Sequence, residues 1–300
     1  MARALLIMNP AAARTTPAAI QTAEAVLRRA GWQTEVLATG GSGDARRLAE
    51  YGREQGVDVV AVFGGDGTTM QAASALVGTD VALALIPGGT GNILAGNLRL
   101  PKSPTRAAEI VVKGYSRRLD LGRVERPDGV HYFAVAAGAG MDARVMTETN
   151  AAHKRRWGIG AYWGTLMRVL PEIRSISCVI TVDGEPFSAE AVVVLVSNCG
   201  EVIPPFFRLR SDTSPEDGLL DVTVARADSV WQGIRVFREA LRSRAEHTAN
   251  PAMLGFARGT EIKVESAEPM PVQLDGDGCG ETPFTATVVP GAIRIMLGER

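Results

Sequence analysis

The chain of 300 residues is long enough for two domains, because single hydrophobic cores stop growing near this length. The content of 46% hydrophobic residues is typical of a globular protein. The net charge of -1 means that the protein lacks the overall positive electrostatic field that attracts nucleic acid. Cys178, Cys199 and Cys279 are widely spaced, which argues against a disulfide framework or a zinc site and favours a reducing cytoplasm. No stretch approaches the roughly 20 apolar residues of a transmembrane segment, so we expect membrane contact to be peripheral at most.

The first part of the chain alternates strands and helices. The predicted elements are a strand over Ala4–Met8, a helix over Pro17–Ala30 with Thr16 as N-cap, a strand over Gln33–Ala38, a helix over Asp44–Gln55, strands over Val57–Phe63 and Val81–Ile86, and a helix near Ser103–Lys113. Repeated βα units favour a parallel sheet that is covered by helices.

Two glycine turns interrupt this pattern. Gly64-Gly65-Asp66-Gly67-Thr68 follows one buried strand, and Gly88-Gly89-Thr90-Gly91-Asn92 follows the next. A strand, a glycine turn and a helix start leave backbone N–H groups converging on one spot, which suits a polyphosphate. Two such turns predict one nucleotide that is held from two sides.

From about Asp120 the chain becomes rich in Val, Ile and Thr. Strands are predicted over Val130–Ala137, Ser177–Val182, Ala189–Ser197, Leu219–Ala225 and Glu261–Glu265, a hairpin turn at Asp183-Gly184, and helices near Gly158–Leu170 and Ser229–Arg244. We therefore expect an α/β protein with an N-terminal parallel-sheet nucleotide-binding domain and a C-terminal antiparallel β-sandwich domain. The expected boundaries are 1–122 for the first domain, to which the last strand within 287–300 returns, and 123–286 for the β-rich domain.

Several other motifs do not lead to a function. The chain has no GxxxxGK[ST] P-loop, no nucleophile elbow and no cluster among its three histidines. The run from Gly138 to Ala143 matches the loose pattern G-x-G-x-x-A, but it lies in the β-rich region, so we interpret it as a tight turn between strands.

The ordered motifs resemble the diacylglycerol/sphingosine lipid kinase family over essentially the whole chain. GGDGT at 64–68 and GTGN at 89–92 carry the likeness, although NAD kinases and phosphofructokinase relatives share GGDGT. The other matching motifs are Asn9-Pro10, Thr39 before Gly43-Asp44-Ala45, Asp120-Leu121-Gly122, DGLLDV at 217–222 and LDGD at 274–277. DGLLDV and LDGD distinguish lipid kinases from NAD kinases.

The resemblance implies an ATP- and Mg²⁺-dependent kinase of phospholipid biosynthesis, which phosphorylates diacylglycerol or a related lipid at the membrane surface. It implies that Asp275 accepts the proton of the lipid hydroxyl. The implied ATP-binding residues are Asn9, Thr39, Gly64, Gly65, Asp66, Gly67, Thr68, Gly89, Thr90 and Asn92. The implied Mg²⁺ residues are Asp120 and Asp277, together with a second site at Asp217 and the carbonyls of Ser214 and Leu219. A homodimer is left open.

The residues themselves leave alternatives open. Asp66 is an anion in a site suited to anions, so it indicates either a role through Mg²⁺ or water, or a turn-stabilising residue. We expect Thr68 both to cap the following helix and to donate its hydroxyl. Met70, Gln71 and Ile93 depart from the family pattern, as does Asp277 in place of Glu. An NAD-kinase-like enzyme and a non-catalytic lipid-binding protein therefore remain alternatives.

Two apolar stretches are candidate walls of a lipid cleft. They are Val202–Phe207 and Trp157–Leu170, and the neighbouring Lys154, Arg155 and Arg156 could meet anionic headgroups. Ordinary core packing and a solvated charge run are the alternative interpretation.

Overall fold

The computed structural model describes residues 1–141, 143, 174–203, 207–208, 212–229, 231–233, 235 and 253–299. The chain divides into two compact units: unit 1 comprises Met1–Leu119 and Gly291–Arg300, and unit 2 comprises Asp120–Pro290. The helix predicted over Gly158–Leu170 and most of the one predicted over Ser229–Arg244 lie outside the described residues.

Unit 1 is built from βα repeats. Its elements are β1 (Arg3–Met8), α1 (Pro17–Arg29), β2 (Gln33–Ala38), α2 (Asp44–Glu54), β3 (Val59–Gly64), α3 (Asp66–Leu76), β4 (Ala82–Pro87), α4 (Ile93–Asn97) and α5 (Pro104–Lys113). The strands pair in parallel in the order β2-β1-β3-β4. β3 and β4 are buried at every position, as expected of central parallel strands with both faces covered.

The first helix of unit 1 begins where the sequence predicts. The Thr16 side chain accepts a hydrogen bond from the Ala19 N–H and so caps α1. Ile20 and Leu27 of α1 pack with Val111 of α5 against one face of the sheet. This packing leaves the carboxyl edge of the sheet to the loops.

Unit 2 consists mostly of antiparallel strands. They are β5 (Ser116–Arg126, which begins in unit 1), β6 (Gly129–Phe133), β7 (Ala136–Gly140), β8 (Ile176–Val182), β9 (Glu185–Ala191), β10 (Val193–Ser197), β11 (Glu201–Ile203), β12 (Phe207–Arg208), β13 (Leu220–Ala225), β14 (Leu254–Gly259), β15 (Glu261–Ser266), β16 (Pro271–Leu274), β17 (Asp277–Glu281) and β18 (Phe284–Met296, which ends in unit 1).

Two sheets of unit 2 enclose a common core. One sheet has the order β14-β13-β10-β7-β16-β17, and in the other β15 lies between β18 and β8, with β9 at the edge. Val196 and Val222 of the first sheet share a buried cluster with Ile180 and Ile262 of the second. The predicted α/β fold class, with a parallel sheet and an antiparallel β-sandwich, is therefore confirmed. The last residues of β18 pair in parallel with β4, with Arg294 opposite Ala82.

The predicted hairpin is confirmed, but two strand assignments and one turn assignment need correction. Asp183 and Gly184 have φ of 48° and 88° and join β8 to β9. The predicted strand Val130–Ala137 is two strands with a break at 134–135, and Ala189–Ser197 divides at Val192. The interpretation of 138–143 as a tight turn is wrong, because Gly138–Gly140 lie inside β7, between β10 and β16.

Gly122 shows why a glycine follows Asp120-Leu121. It lies on β5 opposite Phe133 of β6, whose ring is fully buried. A Cβ on Gly122 would lie 1.9 Å from Cζ of that ring, so the aromatic side chain occupies the space that any larger residue would need.

We expect Gly122→Ala to lower the free energy of unfolding by about 1–3 kcal/mol, because a buried ring would have to move. Gly255→Ala is the matched control, since Gly255 also lies in a strand of unit 2 and its Cβ would meet only Val224 Cβ, at 3.8 Å. Denaturant unfolding of both variants measures the effect. Equal stability of the two variants would contradict this account of Gly122.

Candidate functional site

Four loops of unit 1 meet at the carboxyl edge of its parallel sheet. Thr39 follows β2 and Asn9 follows β1, while the two glycine turns follow β3 and β4. Backbone bonds extend the sheet by one residue, with the N–H of Thr39 donating to Met8 O at 2.8 Å and that of Asn9 to Phe63 O at 2.9 Å. Ligands of open α/β sheets bind outside this edge. The structure therefore brings the predicted ATP-binding residues together.

The two glycine turns touch each other. The N–H groups of Gly88 and Gly89 donate to Gly64 O at 2.8 and 3.1 Å. A Cβ on Gly89 would lie 2.5 Å from Gly65 Cα, which is too close. Because Gly65 Cα belongs to the backbone, it could move away only if the two turns separated. Glycine at these positions therefore permits the approach of one turn to the other.

Asn92 closes the second turn. Its residue is buried with φ of 50°, in the left-handed region that Asn tolerates better than most residues. Its side chain accepts from the Gly89 N–H at 2.9 Å and donates to Gly89 O at 2.6 Å. Thr90 and Gly91, which lie between them, are exposed.

Asp66 ties the first turn to the helix after the second. Its Oδ1 accepts from the Ile93 N–H at 2.7 Å, at the start of α4. Burial raises the pKa of the Asp66 carboxyl, while backbone N–H groups of Ile93, Leu94 and Asn92 act in the opposite direction.

Thr68 has a different contact from the one predicted. Its hydroxyl accepts from Asn9 Nδ2 at 2.8 Å, and its side chain packs where a Cβ on Gly64 would lie. The N-cap residue of α3 is Gly65, and no side chain of the described residues closes that end of the helix. The expected capping by Thr68 is therefore wrong. The first N–H groups of α3 have no acceptor within the helix, as at every helix start.

Gln71 keeps a contact despite departing from the family pattern. Its Oε1 accepts from the Gly43 N–H at 3.1 Å and so joins α3 to the loop after β2. Asp44 orders the same loop, because its Oδ2 accepts from the N–H groups of Gly40 and Gly41 at 2.7 and 3.1 Å. The Gly40 N–H is the main reason why the pKa of Asp44 is lowered.

In unit 2, Asp275 is anchored by backbone donors. Its Oδ1 accepts from the N–H groups of Val135 and Ala136, both at 2.9 Å, and its Oδ2 accepts from that of Ala134 at 2.7 Å. Asp275 itself has φ of 49° and donates its N–H to Ala136 O at 2.9 Å. These bonds explain the break between β6 and β7, since the N–H groups at the break point to the carboxylate.

Asp120 holds the loop that carries the other predicted metal ligands. The buried Asp120 accepts from the Gly218 N–H through Oδ2 at 2.7 Å and donates its own N–H to Pro215 O at 2.8 Å. Within this loop, the Leu219 N–H donates to Asp217 Oδ1 at 3.0 Å. The structure thus brings Asp120 beside the segment of Ser214, Asp217 and Leu219.

The second aspartate of DGLLDV has a structural role. Asp221 is buried and faces Arg258 across β13 and β14, and the guanidinium bonds both carboxylate oxygens at 2.8 and 3.1 Å. The hydrogen bonds to Asp221 raise the pKa of Arg258. Asp217, by contrast, lies in an exposed loop. Sequence reasoning assigned Asp217 to a Mg²⁺ site and gave Asp221 no role, because its partner Arg258 lies 37 residues further along the chain.

The predicted metal ligands do not form a cluster of acidic side chains. Asp277 is exposed at the start of β17. Across the described residues, no three His, Cys, Asp or Glu side chains are grouped so that they could hold a metal ion. The site predicted at Ser214, Asp217 and Leu219 would be of another kind, with one carboxylate and two backbone carbonyls, and oxygen donors of this type suit Mg²⁺.

The predicted lipid-binding walls are largely not described. Trp157–Leu170, the basic residues Lys154–Arg156 and residues 204–206 lie outside the described residues. Within the described ranges, no helix has both the length and the apolar character needed to cross a bilayer.

A parallel sheet with paired glycine turns, followed in the chain by an antiparallel sandwich, defines a two-unit α/β fold, and known proteins share both parts. The diacylglycerol kinase catalytic domain matches residues 3–124. The YegS C-terminal NAD kinase beta sandwich-like domain matches residues 135–297.

Relatives resemble the chain over nearly all its length. The diacylglycerol kinase of Mycobacterium tuberculosis strain H37Rv is 30% identical over 280 residues, covering 90% of this chain and 86% of the relative. That of Bacillus subtilis strain 168 is 30% identical over 287 residues, covering 94% and 92%. A solved structure of a candidate diacylglycerol kinase from Bacillus anthracis strain Sterne matches with a TM-score of 0.82 at 25% identity, over 99% of this chain and 97% of that one. The chain therefore belongs to the diacylglycerol kinase family and is a lipid kinase.

We expect Asp275→Asn to lower the free energy of unfolding by about 1–3 kcal/mol, because the amide NH₂ would face a backbone N–H that then has no acceptor. Asp277→Asn is the matched control, since that carboxylate lies in the same hairpin but is exposed. Denaturant unfolding gives both values. If the two variants are equally stable, the three N–H bonds to Asp275 do not contribute as the structure indicates.

Proposed function

We propose that this protein transfers the γ-phosphoryl group of ATP to a hydroxyl of diacylglycerol or a related lipid, as a cytoplasmic enzyme that acts at the membrane surface. The contact between Gly65 and Gly89 at the carboxyl edge of the sheet carries the proposal. This contact supports a single ligand held by both turns, as a polyphosphate would be. The names of the relatives support diacylglycerol as the acceptor.

Unit 1 is proposed to bind ATP through backbone and short polar side chains. The first N–H groups of α3 and the exposed Thr90 are suited to phosphate oxygens. Asn9 and Thr68, which are joined by a hydrogen bond, fix the loop after β1 against α3. A phosphoryl-transfer enzyme chiefly positions its reactants and neutralises charge, and a rigid set of loops serves that purpose.

Unit 2 is proposed to supply the group that receives the proton of the lipid hydroxyl. Three backbone N–H bonds fix the position and orientation of the Asp275 carboxylate. A fixed carboxylate suits this role, because the loose transition state of phosphoryl transfer depends more on positioning and charge than on early proton removal.

Mg²⁺ is proposed at two places on the acceptor side. Asp217 with the carbonyls of Ser214 and Leu219 would hold a structural ion, and Asp120 supports this loop through Pro215 and Gly218. Asp120 and Asp277 are the candidates in unit 2 for a further contact with Mg²⁺, either directly or through water, and Asp66 is a separate candidate in unit 1. Bound Mg²⁺ would neutralise charge on the transferred phosphoryl group.

The acceptor lipid can be tested directly. We expect the purified protein, with Mg²⁺ and labelled ATP, to label diacylglycerol in mixed vesicles in preference to ceramide or sphingosine. EDTA should abolish the labelling, since the phosphate charge is then not neutralised. Lipid extraction and chromatography identify the product. Labelling of NAD instead would favour an NAD-kinase-like enzyme, and vesicle binding without any labelled product would favour a non-catalytic lipid-binding protein.

The nucleotide site can be tested by separating the two turns. We expect Gly89→Ala to weaken ATP binding about tenfold or more, equivalent to about 1.4 kcal/mol, because its Cβ would displace Gly65. Gly298→Ala is the control, since a Cβ there meets nothing within 4 Å. Titration calorimetry at a temperature where both variants are folded gives the affinities. ATP affinity equal to that of the control would place the nucleotide elsewhere.

A further inference from the structure

Asn198 is hydrogen-bonded to Asp120 and to the segment that binds Asp275, and it has no role in the function described above. It follows β10, is fully buried, and lies within unit 2 with all the partners named here. Its Nδ2 donates to Asp120 O and to Ala134 O, both at 2.9 Å. Both N–H bonds of the amide are thus used, and the two carbonyls fix the orientation of the side chain.

Asn198 and Asp275 hold the same short segment from different sides. The backbone N–H of Asn198 donates to Val135 O at 2.8 Å, while Asp275 Oδ1 accepts from the Val135 N–H at 2.9 Å. Ala134 is likewise bound at its carbonyl by Asn198 and at its N–H by Asp275. The segment 134–136 therefore transmits the position of Asn198 to the Asp275 carboxylate.

The same amide also reaches Asp120. Asp120 is held at its carbonyl by Asn198, at its N–H by Pro215 and at Oδ2 by Gly218. Through its two N–H bonds Asn198 joins the backbone of Asp120 to the segment that binds Asp275. Other side chains of similar size cannot make this connection, because Leu has no donor and an ionised Asp would place an oxygen against two carbonyls.

One atom of the Asn198 amide lacks a hydrogen-bond partner. Asn198 Oδ1 is buried and receives no hydrogen bond within the described part of the chain. A buried acceptor without a donor is unfavourable, and the two hydrogen bonds that Nδ2 donates to Asp120 O and Ala134 O offset this cost. Thr223 Oγ1, on β13 of the same sheet, is buried in the same way but makes no connection to Asp120 or Asp275 among the described contacts.

We propose that Asn198 is a positioning residue for phosphoryl transfer, which fixes Asp120 and Asp275 relative to each other through the segment 134–136. The inference rests on the proposed function. Asn198 contacts neither substrate; it sets where the two carboxylates stand. Its loss should lower kcat and leave the KM for ATP within about twofold, because all its partners named here belong to unit 2.

Two variants separate positioning from packing. Asn198→Leu keeps the approximate size of the side chain and donates no hydrogen bond, whereas Asn198→Ser can donate one. We expect the kcat of Asn198→Leu to be at least about tenfold below that of wild type and the kcat of Asn198→Ser to lie between the two, while the KM for ATP changes little in either variant.

The control is Thr223→Val, which removes a buried hydroxyl that has no partner among the described residues. We expect its kcat to equal that of wild type, with stability unchanged or raised. Amide hydrogen exchange across 134–136 is measured for every variant. Exchange should be faster in both Asn198 variants and unchanged in Thr223→Val.

The outcomes distinguish this inference from the proposed function. A loss of kcat in Asn198→Leu with the KM for ATP little changed, together with faster exchange at 134–136, supports it. Wild-type kcat per folded molecule in both Asn198 variants overturns it, as does a KM for ATP that rises in proportion to the fall in kcat. If wild-type protein phosphorylates no lipid, the proposed function fails. Hydrogen exchange alone then tests whether Asn198 holds the segment 134–136. Unchanged exchange in the Asn198 variants would reject that role as well.

Discussion

The close approach of Gly65 to Gly89 is the constraint on which the nucleotide edge of unit 1 depends. β3 and β4 are neighbours in register, with Gly64 opposite Pro87, so the chain leaves both strands at the same level. Side chains at positions 65 and 89 would keep the two loops apart. With glycine at both positions, the second turn donates two N–H groups to Gly64 O, and hydrogen bonds of Asp66 and Asn92 then fix both loops.

This contact gives a structural reason for the glycines of the two motifs. Glycines beside a phosphate are usually explained by the need for backbone to approach the ligand. Here Gly64 makes room for Thr68, and Gly65 and Gly89 make room for each other. The motif therefore builds the loop before any ligand is considered, and ligand binding would be a consequence of the packing.

Sequence reasoning predicted the parts of the fold in which local patterns and tertiary contacts agree. The buried runs of β3 and β4, the Thr16 cap and the Asp183-Gly184 turn were all predictable, because each depends on neighbouring residues. The division of Val130–Ala137 was not, because it is caused by Asp275, which is 139 to 141 residues distant along the chain. β7 was misread for a similar reason: its Ala and Gly residues have weak strand propensity, and its pairing with β10 and β16 determines its structure.

In the candidate site, too, features that depend on neighbouring residues could be predicted and features that depend on distant contacts could not. Loops after adjacent parallel strands must share an edge, so the grouping of Asn9, Thr39 and the glycine turns could be inferred from strand order alone. Aspartates beside glycines could be identified as a set, but their individual roles depend on distant partners. Asp221 is neutralised by Arg258, Asp275 is held by three backbone N–H groups, and Asp217 remains exposed. Since a buried carboxylate persists only with such partners, the surroundings of each aspartate depend on residues far away in the chain and could not be inferred from its motif.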